Sequence, residues 1–409
     1  MGAMWDASIR MGFVTWLRNF SRTWGPRVKL DERAIEPRAS PVRAPRDGTK
    51  LSNMAHQDFD KSRAAALSRQ VGTDFGAALT VALAYIGERV GLWRAIADGS
   101  SMTSAQIAEK AGLNERYVRE WAATMAAAGY LEYHPADATF GMSREQAMVL
   151  ASDNNTFFTA GAFQYAVACY RQIDKLTQAF RSGGGVPFAD FGPEISEAIE
   201  RLFRPGYEAW VANEWIAAVP DLKSRLESGA EVAEVGCGGG QCILAVAAAF
   251  PNSRFTGFDL DATSIGRARA KAAALKLGDR LAFEQTAAEN IPTADRFDLV
   301  MAFNCIHDMA NPRGALANIR RVLKPAGVLM WSEADVSDRF EENLTPAGRS
   351  MFGASTMHCM TVSLAQGGEG LGVVIGEKLA RELALEAGFA GFERMRIKNP
   401  LHQIFLARR

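Results

Sequence analysis

Three glycines at alternate positions, Gly236, Gly238 and Gly240, begin two residues after a glutamate, Glu234, and a second acid, Asp259, follows about 20 residues on. Glycine serves where backbone must take positive φ or pass close to a ligand. A helix opening on such a turn offers free N–H groups to an anion, a carboxylate included. A carboxylate placed like Asp259 accepts hydrogen bonds from two ribose hydroxyls; the alternative is a cap on the next helix. The dinucleotide pattern G-x-G-x-x-G, which admits a pyrophosphate, needs glycine or alanine at Gln241 or Ile243 and fails in both frames. A further titratable pair, His307-Asp308, stands past a later apolar run; histidine changes charge near neutral pH.

Strands and helices must position these groups. Val232, Ala233 and Val235 read as the end of a buried strand, and Cys242 to Phe250 as a helix packed on a sheet. Further strands read over 254–259, 281–285, 297–303 and 327–332, with a last pair at 392–396 and 403–407. This alternation predicts an α/β fold with a mostly parallel sheet, helices on both faces and an antiparallel terminal pair. Ligands of such sheets lie at the carboxyl ends of the strands, where Glu234, Asp259, Thr286 and Asn304 fall.

Four regions are expected: a disordered basic extension over 1–53, a mainly helical domain over 54–155, a helical linker and lid over 156–228, and the α/β domain over 229–409. The first holds ten Lys/Arg and five Asp/Glu in a chain whose formal net charge is zero. Its composition fits a targeting segment or, the favoured reading, an extension upstream of a start at Met54. In the second region Thr103 and Gln106 form a capping box, Gly112 ends a helix and Asn114 caps the next, the spacing of a helix-turn-helix. Residues 129–133 and 139–143 follow as two strands of a wing. Residues 54–155 carry nine Lys/Arg against twelve Asp/Glu, which argues for a scaffold and dimer module over a DNA reader. In the third region Arg181-Ser-Gly-Gly-Gly-Val-Pro-Phe188 reads as a lid or a plain linker, and a second interruption is expected at 203–207. No apolar run approaches 18 residues, so no membrane span is expected. Five scattered cysteines without a CxxC pair suit a reducing cytoplasm, and the histidine spacing suggests no metal site.

The acid-x-G-x-G-x-G run from Glu234 to Gly240 resembles motif I of the class I S-adenosylmethionine (SAM) methyltransferases. The order of segments over roughly 60–409 resembles bacterial members with an N-terminal winged helix. Stretches that look like that family include Glu115-Arg-Tyr-Val-Arg-Glu-Trp121, Asn304-Cys-Ile-His-Asp-Met309 and Ser355-Thr-Met-His-Cys359. The layout is also similar to plant-type small-molecule O-methyltransferases, which dimerise through the front domain and use a His-Asp pair after the fourth strand. The resemblance implies a Rossmann-like sheet and SAM as cofactor. It places the methionine part on Gly236 to Gly240 and Glu234, the ribose on Asp259, and the adenine against Leu260, Thr286 and Ala287. Asn304 would face the methionine ammonium. Two departures stand out: Thr286-Ala-Ala288 where the family often has an adenine-binding Asp, and Asn304 where close relatives often carry Asp.

The expected function is methyl transfer from SAM to a small-molecule acceptor, at oxygen, by a homodimer. His307 would take the proton and Asp308 orient it. The rival is a ligand-sensing DNA regulator without turnover. An insertion over 335–372 is placed to wall an acceptor pocket, with His358 as a substrate ligand or a satisfied surface histidine.

Overall fold

A computed structural model describes residues 59–397, 399 and 401–409; the basic stretch 1–53 lies outside them. The chain divides into two units, Met1–Leu67 and Ser68–Arg409, of which the second is compact.

Within the second unit the front domain forms as its capping signals require. Helix α1 spans Lys61–Arg89. Helix α2, Ser104–Ala111, starts on the Thr103–Gln106 capping box and ends at Gly112, whose φ of 67° is the left-handed stop. Helix α3, Glu115–Ala127, is capped by Asn114. Strands β1, Glu132–His134, and β2, Thr139–Gly141, pair antiparallel as the wing. Trp93 and Trp121 meet edge to face with centroids 4.9 Å apart at the centre of this domain's core.

The connecting segment differs from expectation at 203–207. Helix α4, Pro193–Gly206, carries Pro205 inside it and continues as a π-helix over Tyr207–Ile216. Proline cannot donate to the carbonyl one turn back. The chain answers by widening the helix instead of breaking it, which keeps Trp215 and Ile216 in the core beneath the sheet.

The main sheet has seven strands in the order β5-β4-β3-β6-β7-β9-β8. Their spans are β3 Glu231–Val235, β4 Arg254–Asp259, β5 Leu281–Gln285, β6 Phe297–Phe303, β7 Leu323–Ala334, β8 Gly391–Arg394 and β9 His402–Arg408. The first five pair in parallel, and β9 runs antiparallel to β7 and β8. Both faces are covered, so the central strands are apolar nearly throughout. Helices α5, Gln241–Ala249, and α6, Ala262–Ala274, contribute to one face. Helices α7, Pro312–Val322, and α8, Glu377–Glu386, cover the other. Strand order reverses at β3 and β6, and the crevice at their carboxyl ends is where such a sheet binds its ligand.

Among the described residues no helix is long and apolar enough to cross a membrane, and no three His, Cys, Asp or Glu side chains gather closely enough to hold a metal. All five cysteines are buried and free.

Candidate active site

A cavity of about 460 Å³ opens at the switch point between β3 and β6. Its floor is the glycine turn. Gly236, Gly238 and Gly240 take φ of 66°, 50° and 78°, so each occupies the left-handed region for which glycine is suited. Gly236 and Gly238 line the cavity; Gly240 does not. A Cβ on Gly240 would meet the Phe283 ring at 2.9 Å, so its role is close helix-to-sheet packing at the start of α5. Gly239 takes its place on the wall, and a Cβ there would collide with the Glu200 carboxylate.

Asp259 ends β4 and ties the turn together. One carboxylate oxygen accepts the Gly238 N–H at 2.8 Å and the other the Asp261 N–H at 2.8 Å. Each oxygen retains a further lone pair, and Asp259 lines the cavity. Burial raises its pKa above the usual carboxylate value, against the pull of those N–H donors. Asp261, and not Asp259, caps the following helix, accepting from the Thr263 and Ser264 N–H groups.

Glu234 is buried on β3, accepts the Ile243 N–H at 3.0 Å and has its pKa pushed by burial to about 8. A buried acid with a raised folded pKa favours the fold while protonated, so this contribution is lost as pH rises from the unfolded value toward 8. The stability gap between Glu234→Gln and the wild type should therefore widen in the variant's favour between pH 5 and 8, by about 1.4 kcal/mol per unit at most. Urea titrations at three pH values measure it, and a gap that is flat with pH would remove the assignment.

Leu260 and Thr286 line the cavity; Leu260 is 59% exposed. Ala287 does not line it: the chain is extended there, and the 3-10 turn Ala288–Asn290 brings Ala288 and Glu289 onto the wall instead. Glu289 is an acid the sequence reading missed, three residues past the position where the family's Asp was sought. Glu200 was missed as well. It reaches from α4 over the turn, paired with Arg267 at 2.7 Å and Lys271 at 2.8 Å on α6. An acid inside an amphipathic helix carries no sequence signal of such a role.

The His-Asp pair is arranged differently from the sequence expectation. Asp308 lines the cavity and His307 does not. His307 is 3% exposed, and its Nδ1 lies 2.5 Å from Glu333 Oε2 on β7. The carboxylate that orients the imidazole is thus Glu333, itself fully buried and held by the Trp331 indole N–H at 2.7 Å. Neighbours in sequence diverge in space here because the 3-10 turn Ile306–Asp308 fans successive side chains apart. Burial opposes a charge on His307, but Glu333, with Cys359 after it, outweighs burial and holds the pKa well above the usual histidine value. Burial raises Asp308 to about 7.

Opposite the glycine turn the wall is apolar, from Pro187, Phe188, Ile199, Phe203, Met309 and Val362. The glycine-rich loop supplies two of these. It is pinned by the Val186 N–H donating to Thr361 O at 3.2 Å and Oγ1 at 3.0 Å, and Gly185 sits so close that a Cβ would fall 1.8 Å from Thr361 O. His358 is buried, not on the surface, and is ringed by Tyr165, Phe188 and Phe191. Burial lowers its pKa to about 3, with the His307 charge adding to the effect.

Known proteins share this fold. Residues 226–387 match a model described as a methyltransferase domain, and residues 77–152 match the Rv2258c-like winged HTH domain. Mitomycin 7-O-methyltransferase MmcR superposes with a TM-score of 0.65 at 17% identity, over 86% of this chain and 100% of that one. Human N-acetylserotonin methyltransferase, solved in complex with SAM, superposes with a TM-score of 0.61 at 16% identity, over 86% and 99%. In sequence the chain is 32% identical over 117 residues to sterol 24-C-methyltransferase ERG6B of Gibberella zeae, covering 28% of this chain and 30% of that protein. It is 30% identical over 105 residues to 27-O-demethylrifamycin SV methyltransferase of Amycolatopsis mediterranei, covering 25% and 38%. The chain thus spans about a third of the length of these two relatives. Fold and matches together define the class: a class I methyltransferase fold with an N-terminal winged helix.

Proposed function

We propose that the protein transfers a methyl group from SAM to a small-molecule acceptor, at an oxygen atom. One observation carries the reading: the cavity over the glycine turn is lined by Glu200, Glu234, Asp259, Asp261, Glu289 and Asp308, and by no Lys, Arg or His. At neutral pH Glu234 is protonated and Glu200 is neutralised by Arg267 and Lys271; the acids that remain, with no cation on the wall to hold phosphate, favour a ligand with a sulfonium and an ammonium over a pyrophosphate. Asp259 would hold the ribose, the turn from Gly236 to Gly239 the methionine part, and Glu289 the adenine amino group. Bound there, SAM would supply an activated methyl on sulfur. The apolar wall would take the body of a flat, uncharged acceptor. Positioning is the main task of the protein, with about 7–11 kcal/mol available in favourable cases.

An acceptor hydroxyl must also lose its proton. Of the His-Asp pair, Asp308 is the member on the cavity wall, and a pKa of about 7 suits a base at neutral pH. We assign it the proton; His307, fixed by Glu333, stands behind it as a compensating positive charge. The oxygen assignment follows from this base, since a sulfonium methyl passes to an uncharged amine without prior deprotonation.

A homodimer through the front domain belongs to the same reading. Val71, Phe75, Leu79 and Ile86 of α1, with Val90 just past its end, are all at least 40% exposed, an apolar face that a second copy would cover. Sedimentation at monomer mass would count against it. DNA reading is disfavoured because Arg116 and Arg119 on α3 are paired with Glu120 and Glu115. The function is tested by a radiolabelled-methyl transfer screen over phenols and other small hydroxylated acceptors, beside thermal melting with S-adenosylhomocysteine. A protein whose melting ignores that product, and which labels nothing, does not perform this reaction.

A further inference from the structure

Asn304 follows the last residue of β6 on the cavity wall, in the left-handed region with φ of 52°. Asn adopts that conformation more readily than most residues. Its side-chain nitrogen lies 3.0 Å from the Tyr207 hydroxyl and 2.8 Å from Nε2 of His402 on β9. The polarity of this chain of bonds is set at its far end. The backbone N–H groups of Leu401 and His402 can only donate, and they do so to Asn399 Oδ1 at 2.9 and 3.0 Å. That atom is therefore an oxygen, and His402 Nδ1, 3.3 Å from it, must carry the proton. Nε2 is then left with a lone pair, and Asn304 must turn an N–H toward it.

The ring remains neutral in this setting. His402 is 4% exposed and is surrounded by Phe203, Tyr207 and Trp215, with centroids 5.4, 6.5 and 6.0 Å away. Burial holds its pKa down at about 4. A reversed amide would set its oxygen against the Nε2 lone pair in a dry pocket, where an unmade hydrogen bond is costly.

We infer that His402 is a positioning residue: with Tyr207 it fixes the Asn304 amide so that the carbonyl oxygen, not the N–H, faces the cavity as acceptor for a ligand ammonium. The ammonium rests on the SAM reading; the orientation of the amide does not. The arrangement explains how Asn serves where a carboxylate is common. An Asp at this position presents an acceptor whichever way it turns. An Asn does so only when its N–H groups are engaged elsewhere, and His402 and Tyr207 engage both.

The test uses the full chain with three readouts. Long-range ¹H–¹⁵N spectra of the free protein should show His402 with its proton on Nδ1 and Nε2 bare between pH 5.5 and 7.5. Calorimetry with S-adenosylhomocysteine, and with its analogue lacking the α-amino group, separates ammonium recognition from general damage. His402→Phe should weaken the first ligand about tenfold and leave the second within about twofold. His402→Gln, which restores an acceptor, should recover most of the loss and covers the case in which the phenylalanine variant does not fold. A proton on Nε2, equal losses for both ligands, or no loss in His402→Phe would each overturn the inference. Failure of the wild type to bind either ligand would remove the ammonium and the proposed function together, and is distinct from a wild type that binds while the variants match it.

Discussion

Asp308→Asn should lower kcat by about 10²–10⁴-fold, the range of a lost positioned base, with little change in the fold. Asparagine matches the carboxylate in shape and cannot take the proton. Asp308 has a folded pKa raised to about 7 by burial, so its basic form is present above that value. Wild-type kcat should rise with pH and level off past about 7, and the variant should lose that inflection. The sign for stability is opposite. A raised carboxyl pKa favours the fold below the unfolded value, and this is lost as pH rises through 7. His307→Gln gives the contrast. Removing the imidazolium takes away the charge that lowers Asp308, so the inflection should move upward. It also strands Glu333 in the core, at about 3–5 kcal/mol, so the variant is best assayed well below its melting temperature. If His307→Gln abolished both rate and inflection while Asp308→Asn preserved them, the proton would belong to His307.

Asp259→Ala should weaken S-adenosylhomocysteine binding by about 100-fold or more, because two charge-assisted hydrogen bonds to the ribose are lost at once. Stability should also fall, by about 1–3 kcal/mol, since the Gly238 and Asp261 N–H groups lose their acceptor. The two effects have separate readouts, calorimetry and urea unfolding. A variant that unfolds earlier yet binds as tightly as wild type would leave Asp259 as a brace for the turn and nothing more. Asp259→Asn should fall between, because its amide nitrogen must face one of the two backbone donors while its oxygen serves the other.

Local signals were legible where chemistry and backbone coincide. The glycine turn, the acid closing β4, the capping boxes of the front domain and the apolar cadence of the strands are short-range patterns. The structure forms β3, β4, β5 and β6 at the residues that cadence gives. The 203–207 stretch was misread because Pro205 looks like a break to any local rule, while burial of Trp215 favours a widened helix over an ended one.

The residues alone were enough to place a carboxylate-flanked glycine turn after a buried strand of an α/β domain, with a spacing that departs from the dinucleotide pattern. Tertiary structure alone decided which side chains share the cavity. Glu333 reaches His307 across 26 positions, Glu200 lies over a turn some 40 residues on, and His402 meets Asn304 from the last strand. Each of those partners sits in an ordinary strand or helix with nothing nearby to mark it. Their roles arise when distant strands come into register and water is excluded, for only then does a carboxylate, an imidazole or an amide have to find its partner within the protein.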